Sequence, residues 1–377
     1  MSSRRSDRTR HFIGGEWVEP ADGSLIDVVS PATGQLVGRA ANGTAADMDR
    51  AVAAARRAFD EGPWPRLPVA ERIGFLQRAS ELFAQRSEDL AQLITAEMGS
   101  PITFSRTAQG PIAQHILNYY IALGADFPFE QTREGRSLPA LVVFDPVGVV
   151  AAIAPWNYPQ ALLTMKVAPA LVAGCTVVAK PSPETALDGL AYAEIFAEAG
   201  LPPGVLNVVP AGREAGARLV GHPGVDRVAF TGSTEAGKQV AEICGRDLRR
   251  CTLELGGKSA ALILDDADVE RTMEGLRDFA VRNSGQTCTN QTRILVPRSR
   301  QDEFTDALCD MFSSLVVGDP TDPATEVGPM VSQRQRERVE GYIAVGQSEG
   351  AKIAVGGGRP AGLAAGFYVE PTGFVRV

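Results

Sequence analysis

Short apolar segments alternate with segments of helical periodicity between residues 147 and 264, and this alternation restricts the fold more than any other feature. Segments suited to strands stand at 176–179, 205–209, 227–230 and 260–264, and helical segments at 187–199, 215–220 and 234–244. Strands that alternate with helices predict an α/β fold with a parallel, doubly wound sheet. Right-handed crossovers place the carboxyl ends of the strands at one edge, where a ligand crevice is expected.

Two local patterns precede this region. Thr44 with Asp47 three residues later resembles a capping box, which predicts that a helix begins there. Further along, the apolar residues 141–144 and 148–153 flank Asp145-Pro146, a sequence typical of a turn. These two segments predict a β-hairpin.

The charge of the chain argues against a nucleic-acid partner. Lys and Arg number 37 and Asp and Glu number 45, so the net charge is −8, and an acidic protein is repelled by a phosphate backbone. We expect the one basic cluster to be a solvated, disordered leader rather than a transit peptide. Its members are Arg4, Arg5, Arg8 and Arg10.

Residues 146–165 contain no charge and have the nominal length of a membrane span. Pro155 and Pro159 interrupt the stretch at the two ends of a Pro-Trp-Asn-Tyr-Pro sequence. A buried strand followed by a loop explains the segment better than a membrane helix, so no membrane partner is expected.

The cysteines and histidines do not form a recognisable structural site. Five cysteines and three histidines are scattered along the chain, without the spacing of a disulfide framework or a zinc site. We therefore expect no metal. Separated thiols, odd in number, suit a reducing compartment and predict a cytoplasmic protein.

Three stretches near predicted strand ends carry side chains suited to binding. Asn157 lies between two prolines, where its amide is either a rigid donor to an oxyanion or the cap of an ordinary turn. Lys180 either holds a ribose or phosphate or is a surface lysine before a Pro-rich loop. Residues 230–237 form a strand–turn–helix junction, which is either a pyrophosphate site or a turn with a Ser or Thr N-cap.

A fourth stretch pairs a carboxylate with a thiol. Glu254 precedes Gly-Gly at a strand end and is a candidate general base, although a lone Glu is usually solvated. Cys288 follows Gly-Gln-Thr and is a candidate nucleophile, because turns expose thiols and leave backbone N–H groups free. The other cysteines fit the pattern of small buried hydrophobes. They are Cys175, Cys244, Cys251 and Cys309.

Together and in this order, the four stretches resemble the aldehyde dehydrogenase superfamily. The interval of 288 − 254 = 34 residues between Glu254 and Cys288 is part of the resemblance. Similar sequences continue across nearly the whole chain. They include Phe12-Ile13-Gly14-Gly15-Glu16-Trp17, Ser30-Pro31-Ala32-Thr33-Gly34, Gly318-Asp319-Pro320 and Glu326-Val327-Gly328-Pro329-Met330.

The resemblance implies an NAD(P)-dependent oxidoreductase that converts a small-molecule aldehyde to a carboxylic acid. Cys288 would attack the aldehyde to give a thiohemiacetal, whose oxyanion the Asn157 amide and the Cys288 N–H would hold. Hydride transfer would leave a thioester, and Glu254 would activate the water that hydrolyses it. Lys166 also matches a family lysine near the active site, and we assign it no role from the sequence.

The resemblance also implies a set of cofactor contacts. Lys180 matches the lysine on the adenosine ribose, and Gly232 and Ser233 match the pyrophosphate turn. Many members place a Glu three residues after the ribose lysine, where this chain has Pro183 and then Glu184. We expect NAD, with NADP as the alternative. The cofactor-binding residues implied are Ile153, Ala154, Pro155, Trp156, Lys180, Ser182, Glu184, Gly212, Gly232, Ser233, Leu255 and Gly256.

The implied architecture is a Rossmann-like dinucleotide-binding domain, a protruding β-hairpin for oligomerisation and a second α/β catalytic domain. We expect these at 1–126 with 147–255, at 127–146, and at 256–377. The catalytic domain would be incomplete, because family members continue to a Glu-Ile-Phe-Gly-Pro sequence that this chain lacks. That leaves the homo-oligomer in doubt. It also leaves two alternatives, an inactive nucleotide-binding remnant and a cofactor-independent thiol esterase.

Overall fold

The computed structural model describes residues 7–375 and residue 377, and the chain forms two compact units. The first unit contains the described residues up to Val28, together with Gly38–Leu90 and Ala108–Glu254. The second contains Val29–Val37, Ala91–Thr107 and the described residues from Leu255 onward. Arg4 and Arg5 of the predicted leader lie outside the described residues.

Both units contain α-helices and β-strands, and the two alternate from β7 to β11. The α-helices within the described residues are α1 (Ala45–Asp60), α2 (Val69–Gln85), α3 (Ser87–Met98), α4 (Ile102–Phe104), α5 (Gly110–Asp126), α6 (Pro159–Val172), α7 (Ala186–Glu198), α8 (Arg213–Val220), α9 (Thr234–Arg246), α10 (Val269–Phe279), α11 (Gln301–Ser313) and α12 (Gln333–Ser348). The strands are β1 (His11–Ile13), β2 (Glu16–Val18), β3 (Leu25–Val29), β4 (Leu36–Ala41), β5 (Glu130–Arg133), β6 (Ala140–Val143), β7 (Val149–Ile153), β8 (Thr176–Lys180), β9 (Leu206–Val208), β10 (Arg227–Gly232), β11 (Arg250–Leu255), β12 (Ser259–Leu262), β13 (Gln291–Leu295), β14 (Lys352–Val355) and β15 (Gly373–Val375).

A seven-stranded sheet forms the core of the first unit, in the order β11-β10-β7-β8-β9-β1-β2. The pairs β10·β7, β7·β8 and β8·β9 are parallel, which confirms the predicted doubly wound α/β sheet. All five residues of β7 are buried, because a central parallel strand is covered by helices on both faces. The predicted strand at 260–264 belongs elsewhere: β12 pairs with β13 in a separate two-stranded sheet of the second unit.

The predicted hairpin across Asp145-Pro146 is wrong. The strand before this turn, β6, pairs antiparallel with β5, while the strand after it, β7, joins the central sheet. The burial of the two strands explains the difference. Side chains of β6 are mostly exposed, whereas β7 is wholly buried, so the two strands face different environments.

The uncharged stretch at 146–165 is β7, then a loop, then the first half of α6, as predicted for its strand and loop. Helix α6 begins at Pro159, where a proline is tolerated because the first helical N–H has no intrahelical partner. Among the residues described, no helix combines the length and apolar character needed to cross a bilayer.

The N-terminal segment is more ordered than predicted. The Arg8 N–H donates to the Arg39 carbonyl at 2.7 Å, and its guanidinium donates to Glu194 at 2.9 Å. Arg10 donates to Glu19 at 2.7 Å. The prediction of a disordered leader is therefore wrong for Arg8 and Arg10, since a backbone bond and two ion pairs hold them.

The capping box at the start of α1 is confirmed. The Asp47 N–H donates to the Thr44 hydroxyl at 3.4 Å, and the Thr44 N–H donates to the Asp47 carboxylate at 2.9 Å. Each side chain thus satisfies a backbone donor that the first turn leaves without a helical partner.

Two small cores lie among the described residues of the second unit. One joins α10, α11 and the segment around Val327, and the other surrounds α12 and the β14–β15 ribbon. Their buried members are Leu276, Ala280, Met311, Leu315 and Val327 in the first, and Met330, Ile343 and Val369 in the second.

Candidate functional site

The carboxyl ends of three neighbouring strands lie level in the seven-stranded sheet. Ile153 at the end of β7 pairs with Phe230 of β10 on one side and with Lys180 of β8 on the other. The chain passes from β7 to β8 and β9 on one side, and then through α8 to β10 on the opposite side of β7. This reversal of strand order opens a crevice beyond the strand ends, where open α/β sheets bind their ligands.

Lys180 is buried at this edge, so the alternative of a surface lysine is wrong. Its ammonium donates to the carbonyl of Ala211 at 2.7 Å and to that of Pro181 at 3.2 Å. Burial lowers the pKa of Lys180 to about 8, against the opposing effect of the Glu184 carboxylate. An ammonium carries three N–H groups, so a third can donate to a ligand.

A carboxylate and a helix start lie close to Lys180. Ser182 donates from Oγ to a carboxylate oxygen of Glu184 at 2.5 Å, which orients that carboxylate. Gly212 is the N-cap of α8, and a Cβ at Gly216 in the same helix would lie 3.3 Å from Lys180 Cδ. The loops after β8 and β9 therefore contribute both an acceptor and donors beside the buried lysine.

The junction between β10 and α9 was predicted to be either a pyrophosphate site or a turn with a Ser or Thr N-cap. Ser233 is the N-cap of α9, and its Oγ accepts from the Ala236 N–H at 3.3 Å. A Cβ at Gly232 would lie 2.5 Å from the Phe230 ring, so a larger residue there would require the ring to move. The predicted N-cap is confirmed at Ser233. It is compatible with anion binding, because the first-turn N–H groups of a helix attract phosphate.

Asn157 is half-buried in the loop between β7 and α6. On one side the Ala154 N–H donates to the Lys180 carbonyl at 3.2 Å. On the other side Gln160, in the first turn of α6, donates to the buried Asp188 carboxylate at 2.7 Å. Burial raises the pKa of Asp188 to about 7. Both ends of the loop are thus fixed by bonds to neighbouring elements.

Glu254, the second-last residue of β11, is exposed, and Lys166 of α6 interacts with it electrostatically. Lys166 is buried and donates to the Thr231 hydroxyl at 2.5 Å and the Leu162 carbonyl at 3.2 Å. Burial lowers the pKa of Lys166 to about 8. Lys166 had no role assigned from the sequence. The available signal was a lysine within an otherwise apolar helix.

Cys288 belongs to the second unit and is exposed. It follows a turn that begins after α10, in which the Gly285 N–H donates to the Val281 carbonyl at 2.9 Å. Cys175 and Cys244 are buried as predicted, whereas Cys251 and Cys309 are only half-buried.

The predicted site residues divide between the two units. Asn157 and Glu254 belong to the first unit, and Cys288 to the second. Ten of the twelve predicted cofactor residues lie in the first unit, on strand ends or in the segments that follow them at the carboxyl edge. The other two, Leu255 and Gly256, lie in the second, at and just after the end of β11.

Comparison with known families identifies one match. The model of the aldehyde dehydrogenase family matches residues 17–377. Among curated proteins, a geranial dehydrogenase of Castellaniella defragrans is 45% identical over 372 residues, which cover 98% of this chain and 77% of that protein. Betaine aldehyde dehydrogenase 1 of Rhizobium meliloti is 40% identical, over 99% of this chain and 77% of its own length.

Solved structures give the same result. An aldehyde dehydrogenase of Mycobacterium tuberculosis, complexed with NAD+, superposes with a TM-score of 0.97 at 46% identity, covering 99% of this chain and 77% of that one. A mutant of aldehyde dehydrogenase C from Pseudomonas syringae, complexed with NAD+ and octanal, has a TM-score of 0.93 at 41% identity. It covers 98% of this chain and 75% of that one.

Proposed function

This chain belongs to the aldehyde dehydrogenase family, and we propose that it oxidises an aldehyde to a carboxylic acid with NAD, using Cys288 as nucleophile. The observation that carries the proposal is the exposed Cys288 thiol, which follows a tightly bonded turn within the residues that the family model matches. A thiolate is a strong nucleophile near neutral pH and a good leaving group from a thioester.

Three side chains act on the substrate in this proposal. The Cys288 thiolate attacks the aldehyde carbon, and the carbonyl oxygen becomes an oxyanion. The Asn157 amide and the Cys288 backbone N–H donate to that oxyanion, where preorganised donors stabilise developing charge. After oxidation leaves a thioester on Cys288, Glu254 takes a proton from water, and the resulting hydroxide hydrolyses the thioester.

The carboxyl edge of the first unit fits a dinucleotide. When bound, NAD supplies the acceptor for the hydride that leaves the substrate carbon. Lys180 would donate to the adenosine ribose, supported by its buried ammonium and its remaining N–H. Gly232 and Ser233 would receive the pyrophosphate at the start of α9. The carboxylate of Glu184 favours NAD, because it would repel the 2′-phosphate of NADP.

We also propose roles for the parts of the chain. Residues 1–126 and 147–255 would form the dinucleotide-binding domain, and 256–377 the catalytic domain. Residues 127–146 would form an oligomerisation hairpin. The support is its apolar surface: Leu138 is 78% exposed and Leu141 is 63% exposed. A homo-oligomer would cover such side chains, which water solvates poorly.

A cytoplasmic location is part of the same proposal. The five cysteines are all free, and a reducing compartment keeps separated thiols from pairing. The alternatives of an inactive remnant and of a thiol esterase are not favoured by the family match.

Steady-state formation of reduced nicotinamide tests the proposal. The purified protein receives NAD or NADP with octanal, geranial or betaine aldehyde. We expect turnover with NAD, and a loss of about 10³-fold or more in Cys288→Ala. Cys309→Ala is the matched control, because it removes a half-buried thiol of the same unit, and it should keep full turnover.

Glu254→Gln separates the two halves of the reaction. We expect one rapid equivalent of reduced nicotinamide followed by slow turnover, because the thioester forms but water is not activated. Turnover that survives in Cys288→Ala would contradict the proposal. So would cleavage of esters by Cys288 in folded protein that forms no reduced nicotinamide with any aldehyde.

A further inference from the structure

The backbone just before Cys288 adopts a conformation that L-amino acids rarely take. Asn283, Ser284 and Gly285 have φ values of 54°, 56° and 76°, so three consecutive residues lie in the left-handed region. Each non-glycine residue in that region is sterically unfavourable. Other contacts must therefore hold the turn in this shape.

One group of contacts closes the turn on itself. The Thr287 hydroxyl donates to the Arg282 carbonyl at 3.2 Å, and the Asn290 side-chain amide donates to the same carbonyl at 3.1 Å. These bonds join the residues on either side of Cys288 to the start of the turn. They do not attach the turn to the rest of the second unit.

A second group attaches the turn to the segment 328–331. The Ser284 hydroxyl accepts from the Gly328 N–H at 2.8 Å. The Gln286 side chain makes two bonds to this segment: its Oε1 accepts from the Val331 N–H at 3.0 Å, and its Nε2 donates to the Pro329 carbonyl at 3.3 Å. Its Nε2 also donates to the Asn283 carbonyl within the turn at 3.5 Å. One amide thus satisfies a donor and an acceptor two residues apart, as a paired strand would.

The segment 328–331, to which Gln286 binds, is itself held in place by the second unit. Met330 and Val331 are buried, and Met330 belongs to the core around Ile343 and Val369. The Met330 N–H donates to the Phe367 carbonyl at 3.0 Å. The bonds from Gln286 to Pro329 and Val331 therefore connect the turn before Cys288 to the packed core of the second unit.

We propose that Gln286 is a positioning residue, whose side-chain amide fixes the peptide that carries Cys288 by binding the Pro329 carbonyl and the Val331 N–H. This inference rests on the proposed role of Cys288 as nucleophile. Cys288 is two residues from Gln286, so movement of the Gln286 backbone displaces the thiol and the Cys288 N–H together. A displacement of about 1 Å can slow a reaction roughly 100-fold.

Gln286→Glu is the sharpest test, because the new side chain has nearly the same shape. Its carboxylate still accepts from Val331, but it cannot donate to the Pro329 carbonyl and is repelled by it. Gln286→Met keeps the length of the side chain and loses both bonds to the segment 328–331, together with the bond to the Asn283 carbonyl. Gln333→Glu is the matched control, since Gln333 is exposed at the start of α12 and bonds only to Glu337 among the contacts described.

Four quantities are measured for each variant: kcat with NAD and octanal, the Kd for NAD, the rate of Cys288 alkylation by iodoacetamide, and the melting temperature. We expect kcat to fall roughly 10- to 100-fold in Gln286→Glu. The Kd for NAD and the alkylation rate should stay within about threefold, because a small reagent needs no aligned oxyanion donors. Gln333→Glu should change none of the four.

The outcomes separate this inference from the proposed function. A kcat within about twofold of the unsubstituted protein in both Gln286 variants would overturn the positioning role. A fall in kcat matched by an equal loss of alkylation or of NAD binding would also overturn it, since that is the signature of general destabilisation. Turnover retained by Cys288→Ala would instead overturn the proposed function. Should Gln286→Glu be too unstable to assay, Gln286→Met is judged by the same readouts.

Discussion

The pH dependence of NAD binding tests the role proposed for Lys180. Burial lowers the pKa of this lysine to about 8, and two backbone carbonyls accept from its ammonium. The charged form has three N–H donors, so it can donate to a ribose hydroxyl while keeping both carbonyl bonds. As the pH rises through about 8, Lys180 loses a proton and NAD affinity should fall.

The size of the effect follows from this pKa. At pH 7 the Lys180 side chain is charged in about nine-tenths of the protein molecules, and at pH 9.5 in only about three per cent. If only the charged form binds, the apparent Kd for NAD rises about 30-fold between these pH values, equivalent to about 2 kcal/mol. A charge-assisted hydrogen bond contributes a free energy of this order.

Calorimetric titration of NAD between pH 7 and pH 9.5 measures this Kd. In Lys180→Met we expect weak binding that no longer depends on pH over this range. Lys166→Met is the matched control, because Lys166 is also buried with a pKa of about 8, and it should keep the pH dependence. A constant Kd in the unsubstituted protein, or a pH dependence that survives in Lys180→Met, would refute the reasoning.

Three further predictions concern other parts of the chain. Burial lowers the pKa of His11 to about 4, so between about pH 6.5 and pH 4 the unfolded chain binds the extra proton and stability is lost as the pH falls. Urea unfolding should show about 2 kcal/mol of this loss between pH 7.5 and pH 5. The loss should be absent from His11→Leu, and an equal loss in both proteins would contradict the prediction. Glu184→Ser removes the carboxylate that repels a 2′-phosphate, so the ratio of kcat/KM with NADP to that with NAD should rise by roughly tenfold; an unchanged ratio would assign the preference to other residues. Leu141→Glu places a charge on the exposed face of the hairpin, and sedimentation should show smaller species than the unsubstituted protein forms. An unchanged sedimentation coefficient would exclude this face as the contact between copies.

The sequence predicted which segments form strands better than it predicted which strands pair with each other. The uncharged stretch at 146–165 predicted a buried strand, and β7 is buried at the centre of the sheet. The partner predicted for it, 141–144, was wrong, because that segment pairs with β5. The apolar run at 260–264 looked similar but pairs with β13 in the second unit. Periodicity reports whether a strand is buried. It does not report which distant strand supplies its hydrogen bonds, so the sheet to which β12 belongs was not predictable.

The same limit applies to the candidate site. Position at a strand end made Lys180 and the junction at 230–237 candidates and left their alternatives open. The ribose role of Lys180 and the pyrophosphate role of Gly232 and Ser233 were implied by the resemblance to the aldehyde dehydrogenase superfamily. Lys166 and Gln286 were not given roles. Their contacts depend on segments far away in the chain: Glu254 for the first, 254 − 166 = 88 residues distant, and Val331 for the second, 331 − 286 = 45 residues distant.

The position of β1 in the sheet has a consequence for synthesis of the protein. β1 joins the sheet by pairing with β9, through Phe12 and Val208, so its partner is made 208 − 12 = 196 residues later. At about 5–20 residues per second, that interval is roughly 10–40 s. Throughout that interval β1 has no β9 to pair with, and its unpaired backbone groups can pair with other chains. Chaperone occupancy of the nascent chain should therefore persist until β9 emerges, and a pause in translation before residue 208 should increase aggregation.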